Sequence, residues 1–388
     1  MERKFIVLRD MTPPAERATR AARGVEVDPQ AIEACGETHP AAGGELDDDD
    51  GVVGYFPAVR MKLVKPLAAA PVEPARSGPM AWGLRAVHAD QSRLDGSGIS
   101  VAVLDTGIAA EHPAFAHLDK TRLRQEDFTG EGNGDANGHG THCAGTIFGG
   151  TVNGTRIGIA PKVRSALIGK VLDGKGGGTS DQLVDGLMWA ARNRAQVIAM
   201  SLGIDFPGHV QDLVEKAGLP TALATSQALD DFRRTLLLFE QVAGLIAARV
   251  PNGVVIAAAG NESQRDKRAD YRIGVSLPAA TRGFVSVGAL GETGDGLAIA
   301  DFSNTGPVVS APGVDIMSAD VTGGLATMSG TSMAAPHVAG IAALCAQKLK
   351  AEGFGAELRA TLVTSVTRQG LRPGIDPRDV GAGLVVAP

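Results

Sequence analysis

Three short segments carry side chains that could together catalyse acyl transfer. They are VLDTG (103–107), NGHGTHCAG (137–145) and SGTSMAAPHVAG (329–340). A serine hydroxyl becomes a good nucleophile only when a base removes its proton, and an imidazole base needs a carboxylate to fix its tautomer and stabilise the imidazolium. The segments offer Asp105, the histidines His139 and His142, and Ser332 for these roles. They therefore predict nucleophilic catalysis by an Asp, His and Ser triad.

The order of the three segments, with AAAGN (257–261) between the last two, resembles the subtilisin-like serine protease family. DTG, HGTHCAG, AAAGNE and GTSMAAPHVAG are close to the family's signatures, and the resemblance covers roughly residues 80–388. It implies a serine endopeptidase in which Asp105 orients the base, His139 is the general base and Ser332 is the nucleophile that forms an acyl-enzyme.

The resemblance also gives roles to the neighbours of these residues. Asn261 would donate its side-chain amide to the oxyanion, together with the backbone N–H of Ser332. His142 would be structural. Cys143 resembles the cysteine of the proteinase K branch, and we expect it to be a small buried hydrophobe under the catalytic histidine, out of reach of mercurial reagents.

Substrate is expected to bind as an added β-strand, as the resemblance implies. Gly176, Gly177 and Gly178 would form one wall of the cleft, since glycines let a peptide approach closely; the alternative is a flexible loop. The opposite wall would be Ser201, Leu202 and Gly203. Ser276 aligns with the floor of the primary specificity pocket, where relatives often carry glycine, and its hydroxyl would shorten that pocket.

The sequence predicts that strands alternating with helices position these residues. Apolar, β-branched runs occur at 99–105, 163–172, 196–203, 253–261 and 284–290. Helical stretches lie between them, such as 180–194, where Ser180 can cap. This pattern predicts an α/β fold with a mostly parallel central sheet and helices on both faces, the three-layer fold of the family. Asp105 and Asn261 follow strands, at the edge where such sheets bind ligands.

The first part of the chain is organised differently. Residues 1–76 predict a small α+β prosegment and linker, with a strand at 4–8, a helix at 14–23 and an extended segment at 53–64. PLAAAPVEPARSGP (66–79) predicts an extended, exposed linker. The resemblance implies an inhibitory propeptide whose carboxyl end, around Pro66 to Pro79, lies in the active-site groove until it is cut.

The remaining residues, 77–388, would form the peptidase domain. Within it, residues 206–235 are an insertion relative to compact relatives and lie near the rim of the cleft. The insertion would gate substrates, mediate assembly, or form a surface helix with neither role.

Composition limits the partners. The net charge is −6 without a long basic run, which argues against nucleic acid, and no apolar stretch approaches the roughly 18 residues of a membrane span. No signal peptide is recognisable and the three cysteines fit no disulfide framework, so a cytoplasmic location is expected, with secretion by another route left open. Peptide or protein substrates and the chain's own prosegment are the expected partners.

No cofactor is required for the expected chemistry, and no metal site is predicted. The acidic run ELDDDD (45–50) is typical of a solvated loop. Many relatives bind calcium beside the loop that follows HGTHVAG, but the position where they often place Asp reads His112, Pro113, Ala114 here. Structural calcium is therefore possible, but the site would lack the carboxylate that is usually its strongest ligand.

Three other functions fit part of the pattern. A peptide cyclase would use the same triad and pass the acyl group to an amine, with the insertion excluding water. An inactive binding protein would have lost catalytic side chains, whereas all four are present. A metallohydrolase using His139 and His142 would need histidines at i and i+4 with a glutamate between them, which the sequence lacks.

Overall fold

A computed structural model describes residues 2–40, 46–71, 78–119, 121–351 and 357–388. The N-terminal unit contains β1 (Glu2–Asp10), α1 (Pro14–Ala22), β2 (Ile32–Pro40) and β3 (Val52–Pro57). Its strands form an antiparallel sheet in the order β2-β1-β3. The predicted first strand and helix are confirmed, whereas β2 was missed because its sequence, IEACGETHP, is neither strongly apolar nor rich in β-branched residues.

The rest of the chain supplies eighteen further strands and eight further helices among the described residues. The strands are β4 (Arg60–Leu63), β5 (Leu67–Pro71), β6 (Ser100–Asp105), β7 (Leu123–Asp127), β8 (Thr151–Val152), β9 (Thr155–Arg156), β10 (Ser165–Lys170), β11 (Gly177–Thr179), β12 (Val197–Met200), β13 (Leu202–Ile204), β14 (Val254–Ala258), β15 (Val285–Thr293), β16 (Gly296–Ile299), β17 (Val309–Pro312), β18 (Ile316–Ala319), β19 (Leu325–Ser329), β20 (Val366–Thr367) and β21 (Leu384–Val385). The helices are α2 (Trp82–Ala86), α3 (His139–Phe148), α4 (Ser180–Arg192), α5 (Phe206–Glu215), α6 (Thr221–Arg249), α7 (Thr331–Ala351), α8 (Leu358–Thr364) and α9 (Pro377–Val380).

The central sheet has the order β20-β21-β17-β15-β14-β12-β6-β10-β7, with β16 added beside β15. Its pairings are parallel except at β16 and β20. Successive residues of β6 face opposite layers: Val101 and Val103 pack in the core that includes α3 and α7, while Ala102 and Leu104 pack in the core that includes α4 and α6. Burial on both faces explains the continuous apolar strands and confirms the three-layer α/β prediction.

Two local expectations need correction. Ser180 does not cap α4, because Thr179 precedes the helix and its N–H donates to Gln182 Oε1 at 2.9 Å, while the Ser180 hydroxyl accepts from Val59 N. Residues 66–79 are not simply an exposed linker, because Leu67–Pro71 form β5 and pair with β19; residues 72–77 lie outside the described ranges.

The insertion forms α5 and the first half of α6. Helix α6 runs for 29 residues, and it continues without a break from the insertion into the residues that follow it. In the ranges that the structure covers, no helix is both long and apolar enough to cross a bilayer.

Candidate active site

The predicted triad residues stand at the ends of three elements. Asp105 ends β6, His139 begins α3 and Ser332 is the second residue of α7; all three are buried. The Nδ1–H of His139 donates to Asp105 Oδ1 at 2.8 Å. This contact requires glycine at 140, since an added Cβ there would lie 2.2 Å from the carbonyl oxygen of Gly107. The HGTH and DTG motifs thus meet through their glycines.

Ser332 is turned away from the base in this arrangement. Its hydroxyl donates to the carbonyl oxygen of Val64 at 2.9 Å, while His139 Nε2 finds no hydrogen-bond partner among the described residues. Cys143 lies beside both, with Sγ 3.7 Å from His139 Nδ1 and 3.4 Å from the Ser332 carbonyl oxygen. Cys143 thus lies next to both the His139 ring and the Ser332 backbone, and the Ser332 hydroxyl hydrogen-bonds to Val64 and not to His139.

The side chain of Asn261 is held between Thr331 and Lys65. Its Oδ1 accepts from both the N–H and the hydroxyl of Thr331, each at 2.9 Å, which leaves Nδ2 to donate to the Lys65 carbonyl at 3.0 Å. Thr331 was missed by the sequence reasoning, although its place directly before Ser332 in the GTS motif was a usable signal. It fixes the amide orientation that oxyanion stabilisation needs.

The electrostatics separate the two histidines. Burial lowers the pKa of His139, but attraction and a hydrogen bond from Asp105 outweigh it and hold that pKa well above its usual value. Burial and the neighbouring His139 lower the pKa of His142 to about 3, and its Nε2–H donates to the carbonyls of Ile316 and Ala326. Burial also raises the pKa of the Cys143 thiol, so it stays protonated and weakly nucleophilic.

The predicted substrate cleft is filled by the chain itself. β4 lies antiparallel between β11 and β13, and thus between the two predicted walls. The N–H of Leu63 donates to the Gly176 carbonyl at 2.8 Å, and the N–H of Val64 donates to the Ser201 carbonyl at 3.3 Å. The structure brings Gly176–Gly178 and Ser201–Gly203 together on either side of one extended peptide, as an added-strand mode requires.

Val64 occupies the predicted primary pocket. Its side chain is buried beside Gly203, and an added Cβ on Gly203 would lie 3.8 Å from Val64 Cγ2 and 3.4 Å from Ser276 Oγ. Ser276 therefore lies at the pocket as expected. Its hydroxyl is directed to the Ala259 carbonyl at 3.3 Å.

Beyond Val64 the peptide continues to the other side of the nucleophile, where β5 pairs with β19. Ser332 and Asn261 contact different carbonyls of this peptide. The Ser332 hydroxyl donates to the Val64 carbonyl, and the Asn261 amide donates to the Lys65 carbonyl. Among the described residues, 60–71 thus occupy the groove. Of the expected 66–79, residues 66–71 lie there, and 72–77 fall outside the described ranges. The extended strand between Pro57 and Pro66 fits a groove that needs free N–H groups, which a proline-rich stretch lacks.

The loop beside α3 holds an arginine among its backbone carbonyls. The guanidinium of Arg156 donates to the carbonyls of Gly158 and Ile159 at 3.1 Å each, and His112 donates to the Gly324 carbonyl at 2.8 Å. These contacts supply no carboxylate in place of the one that the sequence lacks, and a positive charge disfavours a divalent cation beside it.

Comparison with known proteins agrees with this geometry. The sequence profile of the Subtilase family matches residues 96–383, and the chain belongs to that family. It is 33% identical over 298 residues to an intracellular serine protease of Paenibacillus polymyxa, covering 75% of this chain and 79% of the relative. The major intracellular serine protease of Bacillus subtilis is 34% identical (65% and 69% covered), and subtilisin DY of Bacillus licheniformis is 33% identical (69% and 84% covered). The chain is a serine-type endopeptidase that acts on peptides or proteins.

Proposed function

We propose that this endopeptidase is made as a self-inhibited zymogen, with Asp105, His139 and Ser332 as its triad and residues 1–76 as its prosegment, linker included. The observation that carries the proposal is the Val64 carbonyl on the Ser332 hydroxyl, within a strand paired on both sides in the cleft. Residues 77–388 are the peptidase domain, and its cleft is closed to other substrates until residues 60–64 leave. The linker, residues 65–76, stays joined to the domain after the cut at the Val64–Lys65 bond.

In the open enzyme the Ser332 oxygen attacks a substrate carbonyl while neutral His139 takes its proton. Asp105 stabilises the imidazolium so formed, and the amide of Asn261 with the N–H of Ser332 bind the oxyanion. The imidazolium then gives its proton to the leaving amine, and water repeats the steps on the acyl-enzyme. No metal or organic cofactor takes part, and the chemistry makes no use of nucleic acid or membrane.

The prosegment inhibits because it is held in the wrong alignment by contacts outside the cleft. Lys4 pairs with the buried Asp181 of α4, Arg249 of α6 donates to the carbonyls of Pro29 and Gln30, and Ser180 N donates to the Val59 carbonyl at 2.9 Å. These anchors fix the peptide so that the nucleophile and the Asn261 amide face different carbonyls. Attack on Val64 therefore lacks its oxyanion donor and is slow.

The names of two relatives support a location for this activity. Both the Paenibacillus polymyxa and the Bacillus subtilis proteins are named as intracellular serine proteases. Residues Cys35, Cys143 and Cys345 are free thiols, which suits a reducing compartment. We therefore place this enzyme inside the cell.

Self-processing is tested by following mass and activity of the purified chain together. We expect hydrolysis of a chromogenic peptide to rise as the full-length mass disappears, with a new N-terminus at Lys65 from cutting of the Val64–Lys65 bond. A full-length chain that hydrolyses the peptide at a constant rate from the start, with no change in mass, would contradict the proposal. Adding a trace of processed enzyme to fresh chain shows whether cutting also occurs between molecules.

Replacing Asn261 by Ala is expected to lower kcat by about 100- to 1,000-fold, because one oxyanion donor is lost. KM should change little, since the donor acts mainly on the transition state. Steady-state kinetics on the processed enzyme measure both constants. Asn304→Ala is not a suitable control, because Asn304 accepts from the backbone of Glu262, the residue next to Asn261. The matched control is Asn193→Ala, at the far end of α4, and its kcat should stay within a few-fold of the wild-type value. An equal effect of both changes would remove Asn261 from the reaction.

A further inference from the structure

The insertion and the residue directly before it bring two carboxylates to the edge of the cleft. Asp205, directly before α5, lies with Oδ1 3.1 Å from Lys62 Nζ and Oδ2 3.7 Å from Arg60 Nε. Asp212, on α5, lies with Oδ2 3.4 Å from Arg60 Nη1. The backbone N–H of Asp205 also donates to the Arg60 carbonyl at 3.2 Å, so the start of the insertion continues the wall of the cleft.

The positions of Lys62 and Arg60 relative to the nucleophile define two subsites. Counting back from the Val64–Lys65 bond, Lys62 is the third residue and Arg60 the fifth. Side chains alternate along an extended peptide, so the third and fifth residues share a face that is opposite to Leu63 and Met61. Leu63 and Met61 are buried in the core, whereas the two basic side chains reach outward to the insertion.

The space around the fifth position suits a long cationic side chain. A groove of about 740 Å³ lies between α5 and β11, and Arg60 stands at its edge. Glu131, Asp173 and Asp212 line the groove, against Lys216 and His209 as its basic side chains. Lys216 pairs with Asp212 at 3.0 Å and Lys170 pairs with Glu131 at 3.1 Å, so Asp173 is the carboxylate of the groove that these two lysines do not neutralise.

We propose that Asp205 and Asp212 make the open enzyme prefer substrates with Lys or Arg at the third and fifth positions before the cut bond. The inference rests on the proposed function, because it takes the prosegment strand as the image of a bound substrate. A substrate that replaces residues 60–64 lies between the same two strands and brings its own third and fifth side chains to these carboxylates. The insertion is thereby a specificity element and not only a surface helix.

The expected size of the preference for Lys or Arg follows from the solvent exposure of the charged side chains. All four side chains are partly exposed, and a salt bridge of that kind contributes about two- to fivefold in affinity. Two such pairs predict a combined preference of about 4- to 25-fold in kcat/KM. The effect should shrink as ionic strength rises, because exposed charges are screened.

The experiment uses the wild-type chain, incubated until its activity no longer rises, and four matched peptides that carry Lys or Gln at the third position and Arg or Gln at the fifth. We expect kcat/KM to be about 4- to 25-fold higher for the doubly basic peptide than for the doubly neutral one at low salt. The Asp205→Asn, Asp212→Asn double variant should bring this ratio close to 1. Asn is also a good helix N-cap, so α5 is preserved.

Glu215→Gln is the matched control, since it removes one charge from the exposed end of α5 and should leave the ratio unchanged. A wild-type ratio of 1, a ratio that survives in the double variant, or an equal loss in Glu215→Gln would overturn the inference. In those cases the neutral peptide is still cut and the proposed function stands. If no peptide is cut, the proposed function itself has failed. The salt dependence on wild type alone gives a second test that needs no variant.

Discussion

Ser332→Ala is expected to lower peptide hydrolysis by about 10⁶-fold and to leave the chain at its full length. The hydroxyl is the only group lost, and while the prosegment fills the cleft this hydroxyl makes a single hydrogen bond, to the Val64 carbonyl. The remaining rate would come from binding and from the oxyanion donors, which still act on attack by water. Because the residue is fully buried and Ala removes little volume, the fold should be kept.

Peptide turnover and intact mass, measured side by side, test this expectation. Ser310→Ala is the matched control. Ser310 lies in β17, far along the sheet, and is also fully buried, and its hydroxyl donates to the Val380 carbonyl. The control should mature and hydrolyse peptide at nearly the wild-type rate. Turnover by Ser332→Ala within tenfold of wild type would exclude Ser332 as the nucleophile.

Asp105→Asn is expected to lower kcat by about 10⁴-fold near neutral pH. The amide cannot stabilise the imidazolium and favours the wrong tautomer of His139. The attraction that raises the pKa of His139 is lost as well, while burial continues to lower it. Since the base must be neutral to work, the acid limb of the pH profile of kcat/KM should move to lower pH in the variant, and the profile measures both effects.

The same pair links stability to pH. The pKa of His139 is raised on folding, so its stabilisation is complete below the unfolded value of about 6.5 and disappears as pH rises through the folded pKa. We expect the stability gap between Ser332→Ala and the Ser332→Ala, Asp105→Asn double variant to be wider at pH 5.5 than at pH 9. Thermal unfolding measures it without self-digestion. Asp301→Asn, at an exposed acid, should show no such trend.

The contact between Asp105 and His139 could be predicted from sequence because local rules fix both residues. Asp105 ends a buried strand, and the glycines beside Asp105 and His139 are needed for backbone contact, so the motifs themselves carry the geometry. Thr331 was missed because its role appears only when Asn261, seventy residues earlier, is placed against it. Burial of Cys143 beside the base was predicted from the motif and is confirmed.

The resemblance predicted a prosegment in the cleft, but the pairings that hold it there could not be predicted in the same way. The Pro and Ala content of 66–79 indicates an extended chain but does not name its partner strand, which lies more than 250 residues later at Leu325–Ser329. The contacts of Asp205 with Lys62 and of Asp212 with Arg60 also join residues that are 143 and 152 positions apart. Such pairings depend on the completed fold, so periodicity and composition carry no signal for them.

The central claim is that Ser332 is an activated nucleophile, covered by Val64 and Lys65 until the prosegment leaves. Fluorophosphonate labelling followed by peptide mapping tests it most directly, because these reagents require an activated serine. We predict slow labelling of the full-length chain, fast labelling after processing, and an adduct on the peptide that contains Ser332 and is absent from His139→Ala. An adduct on another residue, or labelling of the full-length chain as fast as that of the processed enzyme, would contradict the account.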